Sequence, residues 1–113
     1  MNARTQVWLW IAQRASAAVL ALCVLVHLVL MIYAVRGGLS AGEILGRTRG
    51  SVGWLAFYGV FVAAVAVHGP IGLRNILTET FGWRGAGLNL GMGIVGLALL
   101  FWGGRAVFAV FTG

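Results

Sequence analysis

Charged residues punctuate this chain at long intervals, and the stretches between them are almost wholly apolar. Arg14 and Arg36 bracket an uncharged run from Ala15 to Val35, Arg49 and Arg74 bracket Gly50 to Leu73, and Arg84 and Arg105 bracket Gly85 to Gly104. None is shorter than the roughly 20 residues a helix needs to cross a hydrocarbon core of about 30 Å. In lipid only helices and closed barrels satisfy the backbone. Three spans that do not alternate apolar with polar cannot close a barrel. The pattern predicts an all-α membrane protein with three transmembrane helices, over about 8–35, 51–77 and 85–110, in one domain covering 1–113.

The connections refine this picture. Ser40-Ala41-Gly42-Glu43 has the capping-box spacing and predicts a short interfacial helix in the first loop. The second loop, from about Thr78 to Gly85, is short, so the helices on either side of it should be antiparallel neighbours. The first apolar run is longer than the core of a signal peptide, contains a histidine, and is not followed by a clean small-x-small cleavage site. It reads as a retained helix. Gly87 and Gly91 form a weak Gly-x-x-x-Gly packing signal.

Composition narrows the chemistry. Apolar residues make up 61% of the chain and charged residues 9%, which excludes disorder and argues against a soluble globule. The lone Cys23 rules out a disulfide framework or a cysteine-built metal site and reads as a packing residue. With Glu43 and Glu79 as the whole acidic complement, paired-carboxylate catalysis is nearly excluded. The basic residues are all arginine and lie between apolar runs, marking membrane interfaces rather than a nucleic-acid surface. Their distribution leaves orientation undecided, because Arg4, Arg14, Arg74 and Arg84 on one side balance Arg36, Arg47, Arg49 and Arg105 on the other. Trp8, Trp10, Tyr33, Trp54, Trp83 and Trp102 lie near span ends as an aromatic belt.

The two histidines, His27 and His68, both fall inside spans, where ionisable groups are costly and point to function. Neutral imidazole is an axial ligand for haem iron; the plainer reading is a pair of histidines hydrogen-bonded to neighbouring helices. Counted from Arg14 and Arg74 on the same side of the membrane, His27 lies roughly 20 Å deep and His68 roughly 9 Å. A mismatch of about 10 Å argues against one iron between them. Each would need a partner from another chain. Two haems, or one on His68 with His27 structural, both remain open. Pro70 frees the carbonyl of Ala66 near His68, and Gly69 and Gly72 keep that stretch slim, for a flat macrocycle or for helix packing. Arg74 suits a propionate or a snorkelling anchor. Arg14, with Gln13 and Ser16, forms a small polar group suited to a quinone carbonyl or a propionate, or to anchoring the helix.

Two segments resemble cytochrome b membrane-anchor subunits of succinate dehydrogenase and fumarate reductase, the succinate:quinone oxidoreductase family. Trp10-Ile11-Ala12-Gln13-Arg14-Ala15-Ser16-Ala17 is similar to that family's first signature, with Gln13 in place of its His and Ala17 in place of its Gly. His68-Gly69-Pro70-Ile71-Gly72-Leu73-Arg74-Asn75-Ile76-Leu77-Thr78-Glu79 is similar to the second, with Asn75 in place of a His and Glu79 where Asp is common. The resemblance implies a haem b ligated by His68, with Arg74 near the propionates. It implies a quinone site at Arg14, Ser16 and Gln13. His27 resembles the ligand found on helix one in the two-haem branch. It further implies an electron-transfer anchor, catalysing nothing by itself, that joins an iron–sulfur subunit, a flavoprotein subunit and a second membrane anchor chain, homologous or a second copy, in a haem-binding helical bundle. The location implied is the bacterial inner (cytoplasmic) membrane, with the N-terminus cytoplasmic. The alternatives are a haem b anchor of another dehydrogenase, or a haem-free channel, transporter or assembly protein.

Overall fold

The computed structural model describes residues 2–113. Four helices follow in order: α1 over Ala3–Arg36, α2 over Ala41–Thr48, α3 over Val52–Phe81 and α4 over Ala86–Thr112. There is no strand among the described residues. α1, α3 and α4 are each long and apolar enough to cross a membrane. The short α2 starts where the sequence places it, with Glu43 N–H donating to Ser40 Oγ and Ser40 N–H donating to the Glu43 carboxylate.

Two long helices overrun their predicted limits. α1 starts at Ala3 because Asn2 accepts from Thr5 N–H at 2.8 Å and caps it. α3 continues to Phe81, where Gly82 adopts φ 67° and closes the last turn on the carbonyl of Thr78. The apolar run marks only the part in hydrocarbon, whereas a helix ends where its caps are.

α3 is the central helix, packed against α1 on one side and α4 on the other, while α1 and α4 hardly meet. Both neighbours run antiparallel to it. Small residues set the α3–α4 spacing: a Cβ at Gly103 would stand 2.6 Å from Cγ1 of Val62, and one at Gly96 would stand 3.2 Å from the carbonyl oxygen of Ala66. Ala66 is the carbonyl that Pro70 leaves without its helical donor, and Gly96 gives it room. Gly87 and Gly91, the Gly-x-x-x-Gly pair of the sequence, have nothing within 4 Å of a Cβ, so they do not make this interface. Gly72 and Gly69 also serve helix packing. A Cβ at Gly72 would stand 3.2 Å from Gln13 Nε2 on α1, and one at Gly69 would stand 3.4 Å from Leu99 on α4.

The far end of α4 is held by the α2–α3 junction. Thr48 Oγ1 donates to the carbonyl of Val110 at 2.8 Å, Gly50 N–H to Phe111 at 2.8 Å, and the Arg49 guanidinium to Gly113 at 3.2 Å. These donors meet carbonyls that a helix end leaves unpaired, and the arginine complements the negative end of the helix dipole.

Little is buried. Among the described residues the buried side chains are Cys23, Ala64, Pro70, Leu88 and the polar Ser16. Large apolar residues such as Leu22, Val35, Leu90, Leu97 and Phe108 are widely exposed. In water such a surface would aggregate. It suits lipid and other membrane helices.

Candidate functional site

The antiparallel packing of α1 on α3 sets a register. Gln13 faces Gly72, Ser16 faces His68, and His27 faces Tyr58 and Phe61. The histidines therefore sit at two levels. Tyr58 and Phe61 lie ten and seven residues before His68 on α3, which separates the levels by roughly 10–15 Å at 1.5 Å per residue.

At the first level, Ser16 Oγ lies 3.4 Å from Nδ1 of His68 and 3.1 Å from the carbonyl oxygen of Gln13. Ser16 is 7% exposed. Close by, a cleft of about 820 Å³ opens between the start of α1, the end of α3 and the start of α4. Its polar walls include Gln6, Gln13, Arg14, Arg74, Arg84 and Asn89. Arg74 Nε donates to Asn89 Oδ1 at 2.9 Å. The Arg14 guanidinium lies 4.8 Å over the ring of Trp10. Three guanidiniums line the cleft and no carboxylate side chain does, so it favours an anionic or carbonyl-bearing occupant. Among the described residues, no donor reaches the buried Oε1 of Gln13.

At the second level, His27 Nδ1 lies 3.4 Å from Tyr58 Oη, and the ring meets Tyr58 and Phe61 edge to face at centroid distances of 5.8 and 5.9 Å. A mainly apolar groove of about 790 Å³ runs past it, walled by α3 and α4 and including Leu99 and Trp102. Trp54 stacks on Tyr58 at 5.9 Å.

The structure thus gathers Gln13, Arg14 and Arg74 into one cleft, leaves His68 outside its lining, one turn before Ile71, and leaves His27 apart. Ser16 does not line the cleft; where the sequence groups it with Arg14 and Gln13, the fold turns it inward onto His68, because the cleft side of α1 carries Gln13, Arg14 and Ala17. Arg84 and Asn89 were missed by sequence reasoning. Arg84 follows a short turn that returns the chain beside Arg74, so loop length was the available signal. Tyr58 had no signal, since only helix register brings it to His27.

No group of three or more His, Cys, Asp or Glu that could hold a bare metal ion occurs among the described residues. A porphyrin supplies its own equatorial nitrogens and asks of the protein an axial imidazole and cations for its carboxylates. This chain offers both residue types: a partly buried His68 with Nδ1 3.4 Å from a hydroxyl, and three guanidiniums in a cleft whose wall residue Ile71 is one turn beyond it on α3.

No curated protein and no solved structure matches this chain. Residues 1–110 match the family model described as succinate dehydrogenase/fumarate reductase transmembrane subunit. Its helical fold, its three spans and this match over nearly its whole length agree, and the chain belongs to the family of succinate dehydrogenase/fumarate reductase transmembrane subunits.

Proposed function

We propose that this chain is a haem b-containing anchor that links iron–sulfur and flavoprotein subunits to the quinone pool. His68 would be the axial ligand contributed by this chain, and Arg74 and Arg84 would face the propionates. Gln13 and Arg14 would receive the quinone. Bound there, haem b would supply a reversible one-electron iron couple between clusters and quinone. Arg14 places a cation where a reduced quinone oxygen develops charge, and Gln13 Oε1 accepts from the quinol hydroxyl. A further residue to hold the haem would come from the second membrane anchor chain, homologous or a second copy, because His27 lies at another level. The N-terminus and the α3–α4 turn face the cytoplasm, toward the soluble subunits, in a bacterial inner membrane.

The observation that carries this reading is a cleft lined by three arginines and no carboxylate side chain, whose wall residue Ile71 lies one turn beyond His68 on α3. The test is a pyridine haemochrome assay on the purified complex, with and without His68→Ala. A b-type spectrum abolished by the substitution is expected. An undiminished spectrum, or no haem in the unmodified complex, refutes the proposal. Tyr58 beside His27 and the adjoining groove favour a second reading, in which His27 ligates a second haem. Haem per pair of anchor chains separates the two: one for the first, two for the second.

A further inference from the structure

The two contacts of Ser16 have an order. Its hydroxyl has one proton and two lone pairs. The carbonyl of Gln13, one turn back on α1, can only accept, and it lies 3.1 Å from Oγ. With the proton directed there, Oγ presents a lone pair to His68 at 3.4 Å. A lone pair facing Nδ1 favours the tautomer with the proton on Nδ1, which leaves Nε2 unprotonated. Among the described residues Ser16 is one of the few that are buried, and the polar one of them. Nothing in its position serves the cleft.

We infer that Ser16 is a positioning residue for His68: it selects the Nδ1–H tautomer, holds the ring across the α1–α3 interface, and strengthens Nε2 as a donor. This rests on the haem reading above and assigns to Ser16 a role distinct from the quinone contact expected from the sequence. An imidazole whose remote N–H donates to an oxygen is a more basic ligand. More electron donation favours ferric over ferrous iron, so the Ser16 contact lowers the reduction potential. The 3.4 Å separation is long for N–H···O, which makes the contact one of orientation as much as strength. His27 and Tyr58 repeat the arrangement with the helices exchanged: a histidine on α1 meets a hydroxyl on α3. That second pair is a control within the same chain.

The experiment is a redox titration of the haem α-band, with ferric low-spin EPR, on the purified complex carrying Ser16→Ala, Ser16→Thr or Tyr58→Phe. Ser16→Ala is expected to keep haem, raise the midpoint potential and change the g-values. Ser16→Thr restores the parent values, and Tyr58→Phe leaves the His68 haem unmoved. A haem-loaded Ser16→Ala complex with parent potential and parent g-values overturns the role of Ser16 while leaving the haem reading intact. Absence of haem from the unmodified complex overturns both. Should Ser16→Ala fail to retain haem, Ser16→Cys decides, since it keeps the volume and weakens the acceptor. An upward shift supports the inference and an unshifted potential defeats it.

Discussion

The two histidine levels are built alike and surrounded differently. Each has an imidazole whose Nδ1 lies 3.4 Å from a hydroxyl on the facing helix. One turn beyond His68 on α3, from Ile71 onward, a cleft is walled by arginines and amides. Around His27 the wall continues into aromatic rings and a mainly apolar groove. The imidazole alone therefore does not define a site. The shell decides whether a charged or carbonyl-bearing group can be held beside it, because a guanidinium in low dielectric contributes far more to binding an anion than it does in water.

Substitutions at the two levels test that contrast. The largest effect should come from His68→Ala set against His27→Ala. The first is expected to abolish the b-type spectrum and the second to leave the His68 haem in place, as read from absorbance per complex. Equal losses would erase the distinction between the levels.

Next is the frame that holds both levels together. Gly103→Val would drive a β-branched side chain into Val62, itself stiff about χ1. A cost of about 1–3 kcal/mol is expected for such overpacking, read as a lower thermal midpoint or lower yield of assembled complex. Gly87→Ala, with nothing near its Cβ, should change neither. A similar loss in both variants would mean that α4 does not pack on α3 through Gly103.

A smaller effect is expected at the polar wall. Gln13→Leu removes the cleft amide whose buried Oε1 has no hydrogen-bond partner among the described residues. Losing one ligand hydrogen bond of about 0.5–1.5 kcal/mol corresponds to roughly a three- to tenfold rise in the KM for quinone. Steady-state quinone reduction measures it, and the haem spectrum should stay as it was. An unchanged KM would remove Gln13 from the quinone site.

The smallest concerns the end of α4. Thr48→Val deletes the hydroxyl that donates to Val110, and by analogy with lost helix caps should cost about 1 kcal/mol. Faster amide exchange in the last turn of α4, with His68 unaffected, is the expected outcome. Exchange at the parent rate would show that Gly50 and Arg49 suffice.

How legible the molecule is from its sequence differs between these regions. The α2 capping box is local, with Ser40 and Glu43 three residues apart, and it appears in the structure where the sequence puts it. The separate levels of His27 and His68 follow from residue counts, since helical rise is fixed. The interface glycines are not legible in this way: Gly87 and Gly91 match a weak motif, while Gly96 and Gly103 are the ones that meet a neighbour. A spacing rule cannot tell which face of a helix that neighbour covers. The sequence groups Ser16 with Gln13 and Arg14 on proximity, yet the two residues from Arg14 to Ser16 turn the side chain through about 200°, to the other side of α1.

By itself the sequence determined the three spans, the interfacial helix and the depth of each histidine. All of these depend on local hydrogen bonding, on rise per residue and on the cost of charge in hydrocarbon. Only the tertiary structure decided that Ser16 meets His68, that Tyr58 meets His27, and that Arg84 joins Arg14 and Arg74 around one cleft. Those pairings depend on the rotation and register of α1 and α4 against α3, which are set by the fit of small residues across helix interfaces and leave no periodic trace in an apolar chain.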